Sequence, residues 1–232
     1  MKNSTRKIML AGAMLLFATG VTNAQVGVEV TLANNDINLA GRSSTGKKNP
    51  DFLYQIWNRG SVMLDNDSIY RNLDLIYDIA ANRVVFKSDK NVPQAFKLQV
   101  KEFSISTTND ENGTIETRKF RSGFPTIDGS SAATFYEILS EGKVSLLKRT
   151  QIKEVEERAA GSIYVIKQKQ PFYSYFLFEN NKIIDYKKDK KSLFEAFDPS
   201  KKILIESYIT DNKIKLKDDK DNMKLFDYYN SL

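Results

Sequence analysis

Cysteine and histidine are both missing from the 232 residues, and tryptophan occurs once. Without cysteine there is no disulfide, no thiol nucleophile and no acylated cysteine of the lipoprotein kind. Without histidine the usual general base at neutral pH is gone, and with it the Ser-His-Asp triad and histidine ligation of haem. The two absences together exclude the common zinc sets. A long hydrophobic run is also lacking, because no segment after the N-terminus approaches the roughly 18 to 20 apolar residues that span a bilayer.

The stretch GRSSTGKK, Gly41 to Lys48, has the glycine and lysine spacing of a phosphate-binding loop, but the position that needs a magnesium-holding hydroxyl is Lys48. Asn49-Pro50 follows where a helix should begin, and proline disfavours helix at the residue before it. A solvated loop is expected, with no nucleotide. DNDSIYRNLDLI, Asp65 to Ile76, opens like a calcium loop, yet Tyr70 stands where glycine must turn the chain and Ile76 where a bidentate glutamate belongs. It too reads as a solvated turn, as does Asp219-x-Asp221 as helix-start acid. No metal ligand, cofactor or catalytic residue is assigned.

The chain opens MKNSTRKIMLAGAMLLFATGVTNAQ. Lys2, Arg6 and Lys7, a short apolar run and the small-x-small site Thr22-Asn23-Ala24 are the parts of a secretory signal peptide, expected over 1–24. The protein is therefore expected to be exported to the periplasm, the outer surface or the medium. Losing three bases lowers 35 basic residues to 32 against 29 acids, a net +3 for the mature form. This is too weak, without interleaved aromatic and basic residues, to argue for nucleic acid.

From Gln25 to Asp51 the composition predicts one edge strand, in VGVEVTLA, and a mobile loop. Between Phe52 and Tyr186 strand-like spacing is broken by turn residues into SVML, RNLDLIYDI, RVVFKS, AFKLQVKEFSIS, TIETRKFRS, TFYEILSE, KVSLLKRTQI, SIYVIKQK, FYSYFLFE and KIIDYK. The links NDENG, Glu141-Gly142 and Asn180-Asn181 suit hairpins. The expected fold is α+β: an antiparallel β-meander over 52–186, as a twisted sheet or open barrel, with three short C-terminal helices over 187–232 packed on it.

In that last segment Ser192-Leu193-Phe194-Glu195 reads as a capping box, and Asp198-Pro199 as the start of a second helix that buries Ile203, Leu204, Ile205, Tyr208 and Ile209. A third helix is expected from Asp218-Asp219, presenting Met223, Phe226 and Tyr229.

FYSYFLFE places Phe172, Phe176 and Phe178 on one face of a strand and Tyr173, Tyr175 and Leu177 on the other. Both faces are expected to be covered, one within the β core and one under the helices. The sharper alternative makes Phe172, Tyr173, Tyr175, Phe176 and Phe178 the wall of a ligand pocket. The basic run KKDKK at 187–191, with Lys201 and Lys202, reads as a solvated linker and helix rim; the sharper alternative is a surface for lipid headgroups, a polyanion or an acidic partner. Asp78, Glu102, Glu137 and Asp185 are the acids from which a two-carboxylate hydrolase would be built.

GSVMLDNDSIYRNLDLIYDIAANRVVFKSD, TFYEILSEGKVSLLKRT and the closing LFDYYNSL together resemble a group of uncharacterised exported proteins of Bacteroidota. The resemblance implies export and carries no catalytic or binding residue. The expected function is a non-catalytic envelope or secreted protein that binds a partner protein or an envelope component. A carrier of a small hydrophobic ligand is the alternative, and a carboxylate-only hydrolase the third reading.

Overall fold

The structure, a computed structural model, describes residues 30–32, 49–108, 113–158 and 165–232. The expected signal peptide, the Gly41–Lys48 stretch and most of the NDENG turn lie outside the described residues. Eleven strands form one antiparallel sheet in the order β1-β5-β4-β3-β2-β6-β7-β8-β9-β10-β11. They are β1 Val30–Leu32, β2 Asn58–Leu64, β3 Ile69–Asp78, β4 Arg83–Lys87, β5 Pro93–Phe96, β6 Val100–Thr108, β7 Ile115–Arg121, β8 Tyr136–Ser140, β9 Ser145–Arg158, β10 Val165–Glu179 and β11 Lys182–Asp185. The short β1 is an edge strand, as its composition predicts, and among the described strands pairs with β5.

Two turns follow directly from residue chemistry. Asn180 and Asn181 both take positive φ, 50° and 57°, which is what a two-residue hairpin demands. The calcium-like Asp65–Ser68 segment is the β2–β3 turn, closed by Leu64 N–H donating to the Ser68 carbonyl, with Asp67 paired to Lys101 at 2.9 Å.

Two strand assignments change. AFKLQVKEFSIS is divided between β5, which pairs with β4, and β6, which pairs with β2. Three strands lie between them in the sheet, and in a flat sheet the four spacings would span about 19 Å. The chain from Phe96 to Val100 reaches only about 14 Å. The sheet must therefore coil, and it does so around Tyr77, Phe103, Phe120 and Phe135, whose rings meet at 4.7 to 5.8 Å. At Gly60, β6 leaves no room for a side chain from β2: a Cβ there would sit 2.1 Å from the Ser104 carbonyl oxygen.

The second change joins SIYVIKQK and FYSYFLFE into the single 15-residue β10, running straight through Pro171. Odd-numbered residues of β10 turn their N–H and C=O toward β11, as the Tyr186 N–H donating to the Tyr175 carbonyl at 2.8 Å shows. Pro171 shares that parity and lies beyond the end of β11, so its missing N–H costs no ladder bond with β9.

The β8–β10 region is covered on both faces. Leu139, Leu146 and Leu177 lie under the helices, while Tyr136, Leu147 and Phe176 lie under the segment 122–135 that brings Phe124 and Ile127. The helices are α1 Lys190–Ala196, α2 Lys202–Asp211 and α3 Asp219–Ser231. Asp189, not Ser192, caps α1: its Oδ1 accepts from the Ser192 N–H at 2.8 Å, so the helix starts one turn earlier than the capping-box reading. Asp198 caps as expected, but it opens a 3₁₀ turn, Pro199–Lys201, ahead of α2. In α2 only Ile205 and Ile209 are buried; Ile203 is 77% exposed and Leu204 is exposed too. Asp218 caps α3, which buries Asn222, Leu225, Phe226 and Tyr229, with Met223 at the margin. No helix among the described residues is long and apolar enough to cross a membrane.

The Asn230 side chain fixes α3 to the sheet by a pair of bonds to Val144, N–H to Oδ1 and Nδ2 to C=O, each 3.0 Å. Gly142 makes room for it, since a Cβ there would lie 2.3 Å from Asn230 Cγ. The Glu141-Gly142 turn therefore needs its glycine for space.

Candidate functional site

The aromatic strand and the basic junction converge on one groove. β11 ends at Asp185, opposite Phe176, and the chain swings away through Tyr186–Lys188, where Lys188 takes φ 54°, toward α1. That departure uncovers the outer edge of β10. An open groove of about 610 Å³ results, walled by Pro171–Tyr175 on one side and by Asp185–Lys188 and Lys217 on the other.

Its charge is arranged around one carboxylate. Asp219, at the first position of α3, receives Lys188 Nζ on Oδ1 and Lys148 Nζ on Oδ2, both at 2.6 Å. Lys188 also donates to the Lys217 carbonyl at 2.6 Å, and Lys217 donates to the Lys187 carbonyl at 2.9 Å. Lys187 pairs with Asp185. Among the groove-lining residues three lysines, Lys187, Lys188 and Lys217, face one aspartate, Asp185; Lys148 and Asp219 stand behind them, and Asp189 lies near Lys187 and Lys217. Burial pushes the Asp219 carboxyl up, but the hydrogen bonds from Lys148, Lys188 and Tyr175 outweigh it and hold the group below its ordinary value. Burial and the adjacent Asp219 charge raise the Tyr175 phenol above the usual tyrosine range.

Lysine and aromatic groups interleave here. Lys148 Nζ lies 4.5 Å from the Tyr173 ring centre, and Lys188 Nζ lies 4.2 Å from that of Tyr175. At these distances an ammonium is attracted to the ring quadrupole. Tyr173 nonetheless keeps 53% of its surface, and Phe172 is exposed as well.

Of the five aromatic residues named from sequence, Phe172, Tyr173 and Tyr175 line the groove. Phe176 and Phe178 do not: they point through the sheet into the small core with Phe124 and Tyr136. Lys187 and Lys188 of the basic run join the groove, whereas Lys201 and Lys202 belong to the start of α2. Sequence reasoning did not find Lys148, Lys217 or the role of Asp219 as their shared partner. One signal was present: Lys148 shares the alternation of Leu146, the helix-facing side of β9, where a cation requires an acid from the covering layer.

The four carboxylates considered for hydrolysis are all engaged by cations. Glu137 accepts Arg118 Nε and Nη2, each at 2.6 Å, and Glu102 accepts Arg121 Nε at 2.7 Å. Asp78 accepts Ala81 N–H at 2.9 Å and Arg83 at 3.3 Å, and Asp185 pairs with Lys187. No group of three or more acids able to hold a metal occurs among the described residues.

No protein-family model, no curated protein and no solved structure matches the chain.

Proposed function

We propose that this is an exported, non-catalytic interaction module, and that the groove along the outer edge of β10 is its binding face. The observation that carries the reading is the coincidence of exposed Tyr173 with a lysine-rich wall on a strand edge left without a partner strand among the described residues. Exposed aromatic rings beside charge that is already oriented offer contact area at little ordering cost. The open shape favours a surface component or partner protein over an enclosed hydrophobic ligand, because the aromatic set divides across the sheet instead of enclosing a space. Export rests on the Met1–Ala24 pattern.

Replacing Tyr173 with a photo-crosslinking aromatic residue in the producing cells tests this. A discrete adduct is expected from that position and none from the same residue at exposed Lys90, in the turn between β4 and β5. Equal labelling at both positions, or none at Tyr173, would overturn the assignment of the face.

A further inference from the structure

Resting on that reading, we infer that the groove binds an acidic carbohydrate, a glycan chain whose sugar rings carry carboxylates. Three features of the groove converge on this class.

Its charge comes first. Three lysines, Lys187, Lys188 and Lys217, line the groove against one aspartate, Asp185, with the Lys148–Asp219 pair behind them, and the lysine Nζ atoms are held by carboxylates and backbone carbonyls. An anion arriving here meets donors already oriented.

The second feature is the flat surface offered alongside the charge. Tyr173 is exposed, with Lys148 4.5 Å from its ring centre, while the Phe172 ring turns to the other face of the strand beside Lys153. A pyranose presents an apolar C–H face to such a ring and its carboxylate to the neighbouring ammonium. An acidic side chain has no comparable face.

Pro171 supplies the third. An extended peptide would bind an open edge by continuing the hydrogen-bonded ladder. On β10 the outward positions beyond β11 are Tyr173, Pro171, Lys169, Lys167 and Val165, and Pro171 has no N–H to give. The ladder is broken two residues into the edge. Between Pro171 and the end of β11 only this short stretch around Tyr173 turns backbone N–H and C=O groups to the edge, enough for sugar hydroxyls and too few for a strand. The volume of about 610 Å³ falls within the roughly 300–1,000 Å³ usual for ligand sites.

Titrating the isotope-labelled chain, as recovered from the cells that make it, with trigalacturonate, maltotriose and triglutamate separates the possibilities by NMR. Trigalacturonate is expected to shift the amide signals of Phe172, Tyr173 and Lys217 saturably, with maltotriose and triglutamate each about tenfold weaker. Tyr173→Ala and Lys217→Gln should each weaken trigalacturonate by about fivefold with an unchanged melting temperature. Equal binding of triglutamate would overturn the carbohydrate assignment in favour of charge alone. Shifts elsewhere on the molecule, or no saturation, would overturn it outright. If trigalacturonate fails while the Tyr173 crosslink still forms, the ligand class falls and the binding face stands; if both fail, both fall.

Discussion

Arg118 and Glu137 show how much one pair of side chains can carry. Glu137 is buried on β8, and its two oxygens take two guanidinium donors of Arg118, which also lies against the Tyr54 and Phe120 rings. Burial alone would lower the Arg118 pKa, yet the bonds from Glu137 raise it above the ordinary value. Removing one charge from such a site leaves the other stranded. Glu137→Gln is expected to cost about 2 kcal/mol, read as a shift in the urea midpoint with the slope unchanged. Arg118→Met combined with Glu137→Leu should recover most of that loss, since an apolar pair needs no partner.

At the scale of elements, β10 is the informative one, because its two halves answer to different neighbours. Phe176 and Leu177 are clamped between the 122–135 segment and the helices, whereas Val165–Ser174 continues outward with β9 as a ribbon whose outer edge is bare among the described strands. Bare edges recruit other strands, and lysines and proline are the usual protection. Lys167, Lys169 and Pro171 occupy the outward positions here. Pro171→Thr would restore the missing N–H without disturbing the β9 ladder. We expect it to raise self-association, seen as a concentration-dependent increase in sedimentation coefficient, while the melting temperature of the dilute protein holds or rises.

Across the whole molecule, the coiled β2–β7 half and the helix-covered β8–β11 half are joined through one continuous sheet. The helices are at most 13 residues long and lack independent stability. Their attachment depends on carboxylates at α-helix starts and at the groove. Asp189, Asp198, Asp219 and Asp221 there, and Glu141 in the β8–β9 turn where it pairs with Arg121 and Lys119 of the sheet, all have lowered pKa values, from backbone and side-chain hydrogen bonds that favour the ionised form. A lowered folded-state value means stability that is complete above the unfolded value, about 4, and lost as pH falls below it. On the alkaline side Tyr77, Tyr175 and Tyr186 are raised, chiefly by burial, so their contribution is complete below about pH 10 and lost above it. With no histidine and no cysteine to titrate between these limits, thermal unfolding should show a plateau from about pH 5 to 9 with steep losses on both sides. A slope through pH 6 to 7 would contradict this account.

Legible in the sequence were the fold class, the antiparallel meander, the Asn180-Asn181 turn, the cap at Asp198, the start of α3 at Asp218-Asp219, and the chemistries closed by missing cysteine and histidine. These are legible because alternation, turn geometry and capping act within a few residues of one another. Tertiary structure decided the rest. The break between β5 and β6 follows from the coil of a sheet whose partners lie far apart in sequence, and the continuity of β10 through Pro171 follows from where β11 stops. Which aromatic rings are core and which are surface depended on what covers each face: Phe176 meets the 122–135 segment, while Tyr173 meets open space. The lysine cluster could not be read locally because the carboxylate that pairs Lys148 with Lys188 is Asp219, 71 and 31 residues away. Charge pairing at that distance exists only once the helices have docked.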